Sequence, residues 1–308
     1  MPPTLSPARR LGVLGWPVAH SRSPAIHAAA FAALEMPGWH YQRLPVPPEL
    51  FEETVRALPE LGFVGANVTI PHKEAALALA DTASLAAREI GAANTLSFTA
   101  DGAIAAENTD APGLIEAIGY AFRGLELPGA SAMVLGAGGS ARAAVWALTR
   151  AGVRDVAVWA RRPERAQTLA AALGARAVAS PEAADLLVNC TPVGLDGRPG
   201  PAAKGPPEGA GLERVASGKG PRTSVEIEQL AREAEALNSL ALTLDALREY
   251  SNVVDLVYRT GGTPLLKAAH SLGLRTLEGG EILVRQGALS FELWTSRKPP
   301  LEVMRGAL

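Results

Sequence analysis

Short apolar runs recur along the chain, each closed by glycine or polar residues and followed by a stretch with helical spacing. Leu11–Leu14, His40–Val46 and Phe63–Val68 read as strands, with Ala25–Leu34, Pro48–Leu58 and Glu74–Ala80 as the helices that follow them. Strand and helix alternating in this way predict βαβ units and a largely parallel sheet covered on both faces. A hairpin is expected around Asp101-Gly102, and the next strand runs into Asn108-Thr109-Asp110 before a helix from about Gly113 to Phe122. The alternation then restarts. Ser131–Leu135, Asp155–Ala160 and Asp185–Asn189 read as strands, with helices from Gly136 to about Ala151 and over Pro163–Leu173. Val253–Tyr258 is the last predicted strand, Thr263-Pro264 opens a helix, and Gly279–Trp294 is expected to hold two.

The pattern lapses between Asp196 and Ser224, where Gly, Pro and Ala dominate and mobility is expected. Val225–Ala236 then reads as an amphipathic helix, with Ile227, Leu230, Ala231 and Ala234 at the spacing of one face. A chain of 308 residues is long enough for two domains, each with its own core. The expected division is α/β throughout: one domain over about 1–115, completed by 258–308, and a second over 116–257 carrying an insertion at about 196–243.

Composition narrows the partners. A formal charge of −2 gives no support for nucleic acid or an acidic membrane surface. Cys190 is the only cysteine, which excludes an internal disulfide and is compatible with a reducing compartment. No apolar core of a signal peptide opens the chain, and no apolar run approaches the roughly 20 residues of a membrane helix. These features point to a soluble, cytoplasmic protein, and no metal-ligand pattern is read in the chain.

The candidate chemistry gathers where strands hand over to helices, the usual place for ligands in open α/β sheets. Asn67, Thr69 and Lys73 sit where one such strand hands over to a helix. Lysine is scarce: five among 29 basic side chains, and only Lys73 and Lys267 in the well-patterned body. Arginine stays protonated, whereas a partly buried lysine can deliver a proton. Ser23 is expected to cap the helix begun by Pro24, which leaves Ser21 available for a ligand. Three of the six asparagines, Asn67, Asn94 and Asn108, fall in short polar segments beside strands. Gly136-Ala137-Gly138-Gly139-Ser140-Ala141 stands between a strand and a helix inside a βαβ unit, the setting in which such a turn cradles a pyrophosphate. The following strand ends in Arg161-Arg162 with no carboxylate, which favours the 2′-phosphate of NADP over the free ribose of NAD.

Taken together these segments resemble the shikimate dehydrogenase family, from Gly12 to about Trp294, with an interruption from about Asp196 to Thr243. The resemblance is carried by Gly15-x-Pro17-x-x-His20-Ser21-x-Ser23-Pro24, Gly65-x-Asn67-Val68-Thr69-x-Pro71-x-Lys73 and Gly91-Ala92-x-Asn94-Thr95. Asn108-Thr109-Asp110-x-x-Gly113, Asp255-x-Val257-Tyr258 with Thr263-Pro264-Leu265-Leu266, and Gln286-Gly287-Ala288-x-x-Phe291-x-x-Trp294 complete it. The family implies a substrate domain and a Rossmann-type NADP domain facing each other across a cleft, and NADPH-dependent reduction of 3-dehydroshikimate to shikimate. It implies Lys73 and Asp110 as the catalytic pair, and Ser21, Ser23, Thr69, Asn94, Tyr258 and Gln286 around the substrate. Thr191, Val257 and Gly279 join the glycine turn and the arginines as its implied cofactor contacts, and the family permits a monomer or a homodimer. Two other readings stay open: action on quinate, or on both quinate and shikimate, with NAD, and an idle NADP-binding regulator of the same fold.

Overall fold

The structure, a computed structural model, describes residues 9–195 and 224–308, with side chains from 231 onward in the second stretch. The Gly- and Pro-rich stretch expected from Asp196 onward lies outside the described residues up to position 223.

The first half builds β1 (Arg9–Gly15), α1 (Ser23–Ala33), β2 (Trp39–Pro45), α2 (Phe51–Ala57), β3 (Phe63–Val68), α3 (Lys73–Ala78), β4 (Thr82–Ala83), α4 (Leu85–Ile90), β5 (Thr95–Phe98) and β6 (Ile104–Glu107). These strands form one sheet in the order β2-β1-β3-β5-β6-β4. Only β5 runs antiparallel to its neighbours, because the turn at Gly102 (φ +85°) returns the chain directly to β6. Helix α5 (Asp110–Ala121) leads out.

The second half builds β7 (Ser131–Leu135), α6 (Gly139–Arg150), β8 (Asp155–Trp159), α7 (Pro163–Leu173), β9 (Arg176–Ala177), β10 (Ala184–Asn189), α8 (Ser224–Ser239), α9 (Leu244–Leu247), β11 (Tyr250–Asp255), α10 (Pro264–Ser271) and β12 (Arg275–Glu278). Their sheet is parallel throughout, in the order β12-β11-β10-β7-β8-β9. Continuous apolar strands such as Leu186-Leu187-Val188 are buried on both faces, as a covered parallel sheet requires. Helix α11 (Gly279–Thr295) then returns to the first sheet, where α12 (Leu301–Gly306) packs beside α1.

In each sheet the chain moves to one side of its first strand and then to the other. The switch lies at β1/β3 in the first and at β7/β10 in the second, and loops beyond strand ends there form crevices. The two crevices face each other.

Several expectations shift. Helix α1 begins at Ser23, and the side chain of its N-cap residue, Arg22, makes no capping bond; instead the Ser23 amide donates to Ser21 Oγ at 3.3 Å, so the hydroxyl that meets the helix start is that of Ser21, not Ser23. Pro71 lies in the turn before α3, which starts at Lys73, and α5 starts at Asp110 rather than near Gly113. The residues from Gly279 to Thr295 form one helix, not two. The boundary expected at residue 258 falls between β11 and β12, which pair in one sheet, so the chain leaves the second sheet only after Glu278. Of the expected apolar face of α8, Ala231 and Ala234 are exposed, while Glu233, Ala236 and Leu237 are buried; the side chains of Ile227 and Leu230 lie outside the described residues.

Two buried titratable groups give the fold opposing responses to pH. His27, on α1, is fully buried against Tyr41 with ring centroids 4.2 Å apart, and neither ring nitrogen has a partner. Burial pushes its pKa down to about 3. The stability it contributes is full above its ordinary pKa and lost as pH falls from about 6.5 through 3. Asp255, fully buried at the end of β11, is pushed up to about 7 by burial, so its contribution is full below about 4 and lost as pH rises through 7. Each interval is worth roughly 4 to 5 kcal/mol. The two oppose between about pH 4 and 6.5. His27→Phe should therefore unmask Asp255: the variant's melting temperature rises, relative to wild type, as pH falls from about 7 to about 4.5. Parallel profiles for the two proteins would dismiss this account.

Candidate active site

Lys73 is aimed by what surrounds its backbone. The neighbouring His72 ring donates from Nε2 to the Val46 carbonyl at 2.7 Å and stacks on Phe51 at 4.3 Å. Burial lowers its pKa, so the ring stays a neutral fixture of the turn. The Lys73 carbonyl accepts from the Ala93 amide at 2.8 Å. With both sides of the turn fixed, the lysine at the first position of α3 points across the cleft and is only 8% exposed.

Its ammonium donates to Asp110 Oδ2 at 2.6 Å and to Ser140 Oγ, on the opposite domain, at 2.9 Å. Asp110 is held in turn: Asn94 Nδ2 donates to its Oδ1 at 2.9 Å. The same Asn94 amide donates to Gln286 Oε1 at 3.1 Å and to Thr109 Oγ1 at 2.9 Å, while its Oδ1 accepts from the Thr109 amide at 2.7 Å. A lysine–carboxylate pair at this distance, with the carboxylate's other oxygen occupied, presents a fixed proton donor to anything bound beside it.

A cavity of about 150 Å³ opens on this pair, lined by Ser21, Ser23, Thr69, Asn94, Tyr258 and Gln286 together with Lys73 and Asp110. All eight candidates for catalysis and substrate contact therefore meet in one place. Ser21 Oγ reaches Ser23 Oγ at 3.2 Å, and Arg43 donates twice to the Ser21 carbonyl at 3.0 and 2.7 Å, which fixes the loop. Burial raises the pKa of Tyr258, whose hydroxyl stays a neutral donor beside the serines. The wall is rich in hydroxyl and amide groups, which suits a small, highly hydroxylated acid better than an aromatic ligand.

A second cavity of about 350 Å³ continues from the first through Lys73, Ser140, Cys190 and Thr191. Gly136, Ala137, Gly138, Gly139 and Ser140 line it on one side, and Arg161, Arg162 and Arg165 on the other. Gly136 has φ +115°, a conformation only glycine holds without strain, and it turns the chain from β7 into α6. Free amides at the start of α6 and three guanidinium groups at the far end fit a dinucleotide with an added phosphate. Ala141 lines neither cavity; it is fully buried where α6 closes on the sheet. Val257 and Gly279 line the smaller cavity rather than the larger one, and Thr191 lines both.

Asn67 and Asn108 divide. Asn108 donates to the Ala92 carbonyl at 2.8 Å and accepts from the Ala111 amide at 3.1 Å, which is a turn and helix-start role. Asn67 lines the smaller cavity but spends its groups on protein: Nδ2 donates to Asn94 O, Thr95 Oγ1 and Ser290 Oγ at 3.1, 3.1 and 2.8 Å, and Oδ1 accepts from Tyr41 at 2.7 Å. Sequence reasoning missed Arg165, Thr95, Thr109, Ser290 and Tyr41. Thr95 and Thr109 were signalled by standing next to Asn94 and Asp110, and Ser290 by lying one helical turn after Gln286. Among the described residues no group of three or more His, Cys, Asp or Glu side chains is arranged to hold a metal, and no helix is long and apolar enough to cross a membrane.

Comparison with known proteins agrees with this geometry. Residues 13–96 match the shikimate dehydrogenase substrate-binding domain, 121–190 the shikimate/quinate 5-dehydrogenase domain and 279–308 the shikimate 5′-dehydrogenase C-terminal domain. The shikimate dehydrogenase (NADP+) of Paracoccus denitrificans is 38% identical, covering 97% of this chain and 95% of its own. That of an Anaeromyxobacter species is 42% identical, covering 96% and 94%. The crystal structure of shikimate 5-dehydrogenase from Thermus thermophilus in complex with NADP(H) and shikimate superposes with a TM-score of 0.76 at 37% identity, covering 97% of each chain. Relatives of this identity and coverage, over a cleft so composed, leave one reading of its kinship: the chain belongs to the shikimate dehydrogenase family.

Proposed function

We propose that this chain catalyses the reversible NADPH-dependent reduction of 3-dehydroshikimate to shikimate, the step that relatives of this name perform on the route to aromatic amino acids. The observation that carries the reading is Lys73, whose ammonium stands in the wall common to both cavities and is paired with Asp110. When bound, the nicotinamide supplies hydride to the carbonyl carbon. Negative charge then develops on the carbonyl oxygen, and a positioned ammonium is worth most at that moment, in a site shielded from water. Lys73 stabilises the developing alkoxide and delivers the proton that completes the hydroxyl. Asp110 keeps the ammonium in line and is placed to accept a substrate hydroxyl. Ser21, Ser23, Thr69, Asn94, Tyr258 and Gln286 bind the carboxylate and remaining hydroxyls, which fixes the ring face presented for transfer.

The arginines supply cofactor choice. Replacing Arg161 and Arg162 together with alanine should raise the KM for NADP+ about tenfold or more, the cost of losing a charge-assisted hydrogen bond, and leave the KM for NAD+ within about twofold. An equal rise for both cofactors would separate the pair from phosphate recognition. Every side chain used above comes from one chain, so monomer and homodimer both carry a complete site. A cytoplasmic location, where reduced nicotinamide is regenerated, suits a chain with a single cysteine.

The deciding experiment is purified protein with shikimate and NADP+, read by the rise in nicotinamide absorbance. No rise would favour the idle regulator. The same assay with quinate and NAD+ tests the wider specificity, and faster turnover of that pair would replace the proposed substrate.

A further inference from the structure

Asp255 is fully buried, yet its hydrogen-bond donors carry no charge. Asn189 Nδ2 and the Val257 amide donate to Oδ1 at 2.9 and 3.1 Å, and Thr263 Oγ1 donates to Oδ2 at 2.6 Å. A carboxylate in so apolar a place is costly, so its three partners converge on it for a structural gain elsewhere. Those partners lead outward to the site. Asn189 stands opposite Asp255 in the β10–β11 ladder, and its Oδ1 accepts from the Thr191 amide at 3.0 Å and the Thr191 hydroxyl at 2.7 Å. Val257 precedes Tyr258, and both line the smaller cavity; Thr191 lines both cavities. Thr263 also accepts from the Leu266 amide at 3.3 Å, which caps α10 and closes the loop that follows Tyr258.

We propose that Asp255 is a positioning residue: from inside the sheet it holds the Thr191 loop and the Val257–Tyr258 segment at a fixed separation, so that cofactor and substrate meet in register. It lines neither cavity. The inference rests on the cofactor and substrate assignments proposed above. A misplacement of about 1 Å between reacting groups can lower turnover about a hundredfold, so an anchor common to both loops has leverage on the reaction without touching it.

The test compares wild type with Asp255→Ala, Asp255→Asn and Asn189→Ala in the full chain, reading kcat, both KM values, NADP+ binding by calorimetry and thermal melting. Asp255→Ala should raise both KM values about fivefold and lower kcat about tenfold or more. Asp255→Asn keeps an oxygen for Asn189 and Val257, so it should stay within about threefold of wild type. Asn189→Ala cuts only the arm to Thr191 and should raise the KM for NADP+ alone. A purely structural role would shrink the folded fraction, lowering apparent kcat and leaving both KM values in place. Asp255→Ala that melts like wild type with both KM values unchanged overturns the proposal. Should that variant fail to fold, Asn189→Ala decides, and an unchanged KM for NADP+ there overturns it. An inactive wild type would count against the reaction instead; calorimetry still decides the anchor, since Asn189→Ala must then weaken NADP+ binding about fivefold.

Discussion

Lys73→Ala should lower turnover by about three orders of magnitude while the affinity for shikimate falls less than about tenfold. The first figure is the usual range for a positioned proton donor, and the alkoxide also loses the charge that stabilises it. Affinity falls less because the six side chains proposed to bind the substrate, Ser21, Ser23, Thr69, Asn94, Tyr258 and Gln286, still line the cavity. Removing the lysine leaves Asp110 with Asn94 as its remaining donor and frees Ser140 Oγ. Asp110→Asn should cost less on its own, and the double variant little more than Lys73→Ala, because two groups acting as one unit are not additive. Steady-state kinetics with a separate binding titration reads both effects. Near-normal turnover in Lys73→Ala would remove the lysine from the reaction.

Gly139→Ala should lower kcat about ten- to a hundredfold with little loss of thermal stability. A methyl group at Gly139 would stand 2.7 Å from Lys73 Cβ and 3.1 Å from its Cδ. The lysine's own stem cannot yield cheaply there, so either α6 draws back or the side chain tilts. Both responses stretch the Lys73–Ser140 bond and shift the start of the helix that receives the pyrophosphate. Such an error of alignment carries the penalty expected for misplaced reacting groups. Gly119→Ala, on α5 with no atom within 4 Å of the added methyl group, is the matched control and should behave as wild type. Turnover in Gly139→Ala within about twofold of that control would show that the two domains need not approach so closely.

What was legible in the chain follows the range of the interactions. Strand–helix alternation, the glycine turn and the arginine pair are local, and the apolar periods exposed them. The pairing of Lys73 with Asp110 spans 37 residues and was reached only through resemblance, since no period links them. Asn67 bonds to Ser290 across 223 residues and Lys73 to Ser140 across 67; both were invisible to local pattern. Ser23 misled because a serine before proline satisfies the capping rule, yet Ser21 is better placed to accept the first free amide. Gly279–Trp294, expected to hold two helices, forms one despite Gly279, Gly280 and Gly287. Here packing outweighs propensity: a methyl group at Gly279 would strike the Leu256 carbonyl, and one at Gly287 would stand 2.9 Å from Ile26 Cδ1.

Helix α11 has one more consequence. Its 17 residues make a rod about 25 Å long, beginning against Leu256 and Val257, just after β11, and ending beneath the first sheet. Along it Gln286 meets Asn94, Ser290 meets Asn67, and Trp294 donates to the Leu96 carbonyl at 3.0 Å. Spacing among these groups is thus set by one rigid ruler, whatever the angle between the domains. Any change in the angle between the domains moves these groups as a single piece relative to Ser140, the glycine turn and Tyr258, which lies between two strands of the second sheet. Most of the proposed seat for the acid is therefore built on one domain, and the other brings Tyr258 and the electron donor to it.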